Sequence, residues 1–151
     1  VARWLAGQGV RHARLSAADD APADAEVLLV DAMGVLPRWY AAADFAFVGG
    51  SLAPVGGHNL LEPAALGRAV LCGPHTFNAP DVTRLLVEAG GARVVRDGEE
   101  LVAAVAAWIA DPAAAAGSGA KAAAAVRASQ GAARRASELL SSLPAAPSAS
   151  G

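Results

Sequence analysis

Short apolar blocks and longer stretches of helical spacing alternate along this chain. Residues 27–30, 45–48, 69–72 and 92–95 are compact apolar runs of strand length, and residues 12–15 form a further short candidate. Between them the period changes. Leu36, Trp39 and Tyr40 recur at helical spacing within residues 34–43, and Val82, Leu85, Leu86 and Ala89 stand at i, i+3, i+4 and i+7 before Gly90 closes the segment. A short helix is expected over residues 60–66. Asp97-Gly98-Glu99-Glu100 opens another with an acidic first turn; its apolar face is Leu101, Val105, Trp108 and Ile109, and Asp111-Pro112 ends it. Residues 1–9 read as the tail of a helix stopped at glycine, and residues 19–24 as a polar loop.

From Ala113 onward alanine dominates. Gly117-Ser118-Gly119 is expected to interrupt the helix, which resumes from residue 120 to about residue 142 with Lys121, Arg127, Arg134 and Arg135 on a solvated face. Residues 143–151 are a Ser/Pro/Ala tail expected to be disordered. Strands alternating with helices of about ten residues imply an α/β fold, a parallel sheet flanked by helices. The expected organisation is one ligand-binding domain over residues 1–142, with ligands at the carboxyl ends of the strands.

One loop occupies that position. Gly49-Gly50-Ser51-Leu52-Ala53-Pro54-Val55-Gly56-Gly57-His58-Asn59 lies between the strand at 45–48 and the helix starting at Leu60. Its four glycines permit sharp turns and close approach of a ligand to the backbone, and the helix behind it turns its positive end toward an anion. Composition narrows the ligand. Twelve Lys and Arg against fourteen Asp and Glu give a formal charge of −2, so no basic field marks a nucleic-acid binder, and any anion is held locally. Charges, glycines and prolines break every stretch that approaches bilayer length. The single Cys72 cannot form an internal disulfide and reads as a buried strand thiol suited to a reducing compartment. The first residue is Val rather than Met, which reads as a piece cut from something longer.

The commonest owners of such loops do not fit. A P-loop places Lys after its last glycine, whereas His58-Asn59 follow Gly57. The G-x-G-x-x-G pattern fails because the glycines form two pairs separated by five residues. Gly49-Gly50-Ser51-Leu52-Ala53 approaches the nucleophile elbow, but its helix starts too late and no triad follows. His58, His75 and Cys72 lack metal-ligand spacing. Glu62 remains open to two roles. It stands three residues after Asn59, as in a capping box, and at the mouth of the loop, where a carboxylate can accept a pair of ribose hydroxyls. Ser51 is either a turn-stabilising hydroxyl or a phosphate contact. His58 is either a phosphate donor or a loop residue. His75, Thr76 and Asn78, in the loop after the next strand, either close over a ligand or form a plain turn.

The run from Gly49 through Glu62-Pro63, followed by Gly73-Pro74-His75-Thr76-Phe77-Asn78, closely resembles the 3-deoxy-D-manno-octulosonic acid (Kdo) transferases of bacterial lipopolysaccharide synthesis. The likeness reaches back through Asp31-Ala32-Met33-Gly34 and Tyr40-Ala41-Ala42-Ala43-Asp44, and forward through residues 85–90. The resemblance implies a GT-B glycosyltransferase, in which two Rossmann-like domains face a cleft. This chain would be most of the carboxyl-terminal, donor-binding domain, without its N-terminal strand. The implied donor is CMP-Kdo and the implied acceptor the lipid A precursor, at the cytoplasmic face of the inner membrane. Membrane association would reside in the N-terminal part of the full-length protein, leaving this fragment soluble.

Carried over by motif, Ser51, Gly56, Gly57, His58 and Asn59 would hold the phosphate and sugar of the donor. Glu62 would take the ribose hydroxyls, and Met33 and Gly34 would lie near the cytosine. The chain departs from the family at Val35, where an acidic residue is frequent, and at Val55, where a basic one is. The family's Arg-His-Pro segment and catalytic carboxylate would both precede Val1, so no catalytic residue is expected here. Nor is a metal or other cofactor. The alternatives are another GT-B nucleotide-sugar transferase, a UDP-sugar epimerase domain, or a non-catalytic nucleotide-binding module.

Overall fold

The computed structural model describes residues 1–20 and 24–142, so the expected tail at 143–151 lies outside the described residues. The chain divides into two compact units, residues 1–39 and the chain from Tyr40 onward. In the first, helix α1 (Ala2–Gly7) precedes strands β1 (His12–Arg14) and β2 (Val27–Leu29), which pair in parallel with Ala13 opposite Leu28. A kinked 3-10 segment, Leu15–Asp20, follows β1 and takes in the first two residues of the polar loop expected over 19–24, of which 21–23 lie outside the described residues. Just beyond β2, Asp31 accepts the Ser16 N–H at 2.9 Å, the Ser16 hydroxyl at 2.6 Å and Arg14 Nε at 2.9 Å. Those bonds tie together the chain leaving both strands. Helix α2 (Leu36–Ala42) leads into the second unit.

There, β3 (Phe45–Val48), β4 (Ala69–Cys72) and β5 (Ala92–Val94) form a parallel sheet in the order β3-β4-β5. The central strand is buried at all four positions, as the unbroken apolar run Ala-Val-Leu-Cys requires. Its side chains alternate between two cores. Val70 and Cys72 pack with Val48 and Ala92 against Leu60 and Ala64, Leu86 of α4 (Pro80–Glu88), and Ala122 and Val126 of α6 (Pro112–Ser142). Leu71 faces the other way, joining Val95 against Ala104, with Leu101, Val105 and Trp108 at the margin, all on α5 (Gly98–Ala110). The expected α/β architecture, a parallel sheet flanked by helices, is the one observed.

Two expectations about the helices change. The buried face of α5 centres on Ala104, and Ile109 is turned out to solvent. More consequentially, α6 runs unbroken through Gly117-Ser118-Gly119. The helix passes so close to the turn before β4 that a Cβ on Gly119 would collide with the Gly67 carbonyl, so glycine here permits contact rather than ending the helix. Ser118 adds a bond from its hydroxyl to the Gly90 carbonyl at 2.8 Å. The acidic start of α5 holds as expected. Asp97 accepts the Glu100 N–H at 2.8 Å, while the Glu100 carboxylate reaches back to the Arg96 N–H at 2.7 Å. Among the described residues no single helix is long and apolar enough to cross a membrane.

Candidate functional site

Parallel strands place the loops after β3, β4 and β5 along one edge of the sheet. The glycine loop leaves β3 there and ends in the short helix α3 (Leu61–Ala65). It is folded back on itself. The Gly57 N–H donates to the Gly50 carbonyl at 2.8 Å and the His58 N–H to the Gly49 carbonyl at 3.2 Å, closing the loop at its neck. Two N–H groups expected to face an anion are therefore spent inside the loop. Among the described residues no protein acceptor takes the N–H of Gly56, Asn59 or Leu60. Gly56 and Gly57 adopt φ of +104° and +74°, values that disfavour any side chain.

Ser51 lies beneath the loop. It is fully buried, its hydroxyl donating to the Val48 carbonyl at 2.5 Å and accepting the Gly73 N–H at 2.8 Å. With both functions used, this is the turn-stabilising role, and the side chain offers nothing to a phosphate. His58 and Asn59, at and just past the neck, are exposed. The His58 ring lies beside Gly50, 3.4 Å from where a Cβ would stand on that residue. Asn59 stands one residue before the N-cap of α3; its Oδ1 accepts the Leu61 N–H at 2.9 Å, and its amide Nδ2 donates to Glu62 Oε1 at 3.2 Å.

That arrangement corrects the capping box. Helix α3 starts one residue later than an Asn59 cap requires, with Leu60 at the N-cap, so Glu62 stands in the first turn and does not reach back to the Asn59 N–H. Its carboxylate is instead oriented by the asparagine amide, with Oε2 making no bond to the protein among the described residues. Tyr40 is the residue the sequence did not single out for this site. Its hydroxyl is held above the ordinary tyrosine range, first by burial and then by the charge of Glu62. Spacing gave no sign of it, because Tyr40 and Glu62 belong to different elements.

The loop after β4 closes over the glycine loop itself. His75 N–H donates to the Ser51 carbonyl at 2.9 Å, Asn78 N–H to the Gly56 carbonyl at 3.2 Å, and Asn78 Nδ2 to the Gly57 carbonyl at 3.2 Å. Phe77, at its tip, is exposed. The structure thus brings Ser51, Gly56, Gly57, His58, Asn59 and Glu62 into one assembly. Met33, almost wholly exposed, and Gly34, with φ of +76°, lie past β2 in the first unit.

The profile of the glycosyl transferase-like family matches residues 36–141. A 3-deoxy-D-manno-octulosonic acid transferase of Bordetella pertussis is 48% identical over 92 residues, covering 60% of this chain and 22% of that protein. The transferase of the same description from Haemophilus influenzae is 53% identical over 66 residues, 44% of this chain and 16% of the relative. The chain therefore spans about a fifth of the length of these relatives. Among solved structures, the C-terminal CMP-Kdo binding domain of WaaA from Acinetobacter baumannii superposes with a TM-score of 0.76 at 31% identity, covering 82% of this chain and 65% of that one.

Proposed function

The chain belongs to the glycosyl transferase-like family, and within it we propose that it is the donor-binding domain of a transferase that moves Kdo from CMP-Kdo to the lipid A precursor in lipopolysaccharide synthesis. One observation carries this reading. The Asn59-oriented carboxylate of Glu62 and the exposed His58 stand together at the carboxyl edge of a parallel sheet. The fold around them is that of a domain described as CMP-Kdo binding.

In this reading Glu62 accepts the ribose hydroxyls, His58 donates to the phosphate, and the exposed Asn59 N–H, which no protein acceptor takes among the described residues, adds its dipole. Ser51 supports the loop from below. As the bond from the anomeric carbon to the CMP phosphate oxygen breaks, these groups stabilise the charge on the departing nucleotide. The acceptor hydroxyl attacks from the opposite side, with inversion, and a base from the remainder of the enzyme takes its proton. No metal ion is invoked for the leaving group. Assembly with that remainder, at the cytoplasmic face of the inner membrane, completes the cleft.

Titrating the chain with CMP while following backbone amide resonances tests the proposal. Perturbation across residues 49–62 is expected at millimolar ligand, because one wall of a cleft binds weakly. Silence in that region overturns it. A clear preference for UDP or a UDP-sugar over CMP would instead assign the site to another nucleotide-sugar transferase or an epimerase.

A further inference from the structure

Asn78 grips the glycine loop at two successive carbonyls. Its backbone N–H takes that of Gly56 and its side-chain amide that of Gly57, each at 3.2 Å. Those carbonyls belong to the peptide units immediately before His58. A Cβ added to Gly56 would run into the Asn78 carboxamide, so the side chain fills the space that glycine leaves open. On the inner side, the N–H groups of Gly57 and His58 are held by Gly50 and Gly49. The Gly57–His58 peptide is thereby clamped through its carbonyl from outside and its N–H from inside.

Two consecutive positive-φ glycines are otherwise the most permissive hinge available to a chain. Left free, they would let His58 and the start of α3 swing relative to β3. We propose that Asn78 is a positioning residue for the donor loop, fixing the direction in which His58 is presented; this rests on the donor-binding reading of that loop. It acts through the glycine pair and not through the ligand. Because the Asn78 side chain is exposed, its removal opens no cavity in the core.

The experiment has a ligand-free and a ligand-bound arm. Without nucleotide, Asn78→Ala is expected to shift the Gly57 and His58 amide resonances while leaving those of β4 in place; unchanged Gly57 and His58 resonances overturn the inference whatever CMP does. With CMP, calorimetry on the chain is expected to show about five- to tenfold weaker binding for Asn78→Ala, in keeping with the loss of one ordering hydrogen bond. His58→Ala, and the double variant, supply the discriminating comparison. If Asn78 works by aiming His58, the double variant binds little worse than His58→Ala alone. Fully multiplicative losses would mean an independent contact and overturn the inference. Should Asn78→Ala fail to fold, Asn78→Asp, which keeps the shape but replaces the amide donor with a carboxylate, is read in both arms. If the parent chain itself does not bind CMP, the donor reading falls, and the ligand-free arm alone decides the role of Asn78.

Discussion

The Ser51 hydroxyl accepts the Gly73 N–H at 2.8 Å, joining the first turn after β3 to the residue that follows β4. Both residues are buried, and the same hydroxyl donates to Val48, so one oxygen fixes the spacing of two loops. Ser51→Ala leaves the Gly73 N–H without this partner in a buried setting. A loss of about 1–3 kcal/mol is expected, read as a lower urea midpoint. CMP binding should weaken in parallel, because the loop carrying His58 rests on this bond. A variant as stable as the parent would remove Ser51 from that supporting role.

Two glycines two residues apart in α6 should respond to alanine with opposite signs. Around Gly117 nothing lies within 4 Å of an added Cβ, so Gly117→Ala is expected to stabilise by about 0.5–1 kcal/mol through helix propensity. Gly119→Ala gains the same propensity but drives a methyl into the Gly67 carbonyl. Overpacking of this kind costs about 1–3 kcal/mol, enough to outweigh the gain. Urea unfolding of both variants beside the parent checks the sign of each.

Those glycines also show where sequence stops being informative. Strand length and helical spacing are local properties, so β3, β4, α4 and the start of α5 could be read directly. The unbroken apolar run at 69–72 is what burial on both faces of the sheet requires. Gly117-Ser118-Gly119 reads as a break because propensity is a local quantity, whereas the reason for Gly119 is a carbonyl more than fifty residues away in sequence. The site follows the same division. The glycine loop, His58 and Glu62 were visible as a motif at a strand end. That the Ser51 hydroxyl is spent, that Asn59 orients Glu62, and that Asn78 holds Gly56 and Gly57 all depend on which loop folds over which.

At Asp31 the bonds from the Ser16 hydroxyl and N–H lead, and the Arg14 charge adds to them; together they hold the carboxyl below the ordinary aspartate range. A depressed folded-state pKa contributes stability that is present above the unfolded value, about 4, and is lost as pH falls through the folded value. The first unit should therefore loosen at the acid end of that window. Asp31→Asn should flatten this dependence, measured as unfolding midpoints across the acid range. An unchanged slope would assign the acid sensitivity elsewhere.

Cys72 gives the converse case. Burial in the central strand pushes its thiol up to about 11. A raised folded-state pKa contributes stability that is complete below the unfolded value, about 8.5, and is lost as pH rises through the folded one. Stability should thus decline from mildly alkaline pH toward 11, and less so in Cys72→Ala once its own cavity cost is subtracted. At neutral pH an alkylating reagent should modify the thiol only as fast as the sheet opens. Labelling at the rate of a free thiol would contradict the burial of β4.

Glu62 separates support from recognition most directly. Among the described residues its carboxylate makes one bond, to the Asn59 amide, and that bond is exposed, so Glu62→Ala should change stability little. If the carboxylate holds ribose, the loss should appear in binding instead, with CMP affinity falling about tenfold or more through loss of charge-assisted bonds. Deoxycytidine monophosphate supplies the control within the same titration. The parent should prefer CMP over its 2′-deoxy analogue, since only CMP offers both hydroxyls to the carboxylate, and Glu62→Ala should bind the two alike. Tyr40→Phe should leave that preference in place, because the carboxylate and its Asn59 partner remain. A parent that does not distinguish the two nucleotides, or a variant that keeps the distinction, would place Glu62 outside the ribose contact and return it to loop support alone.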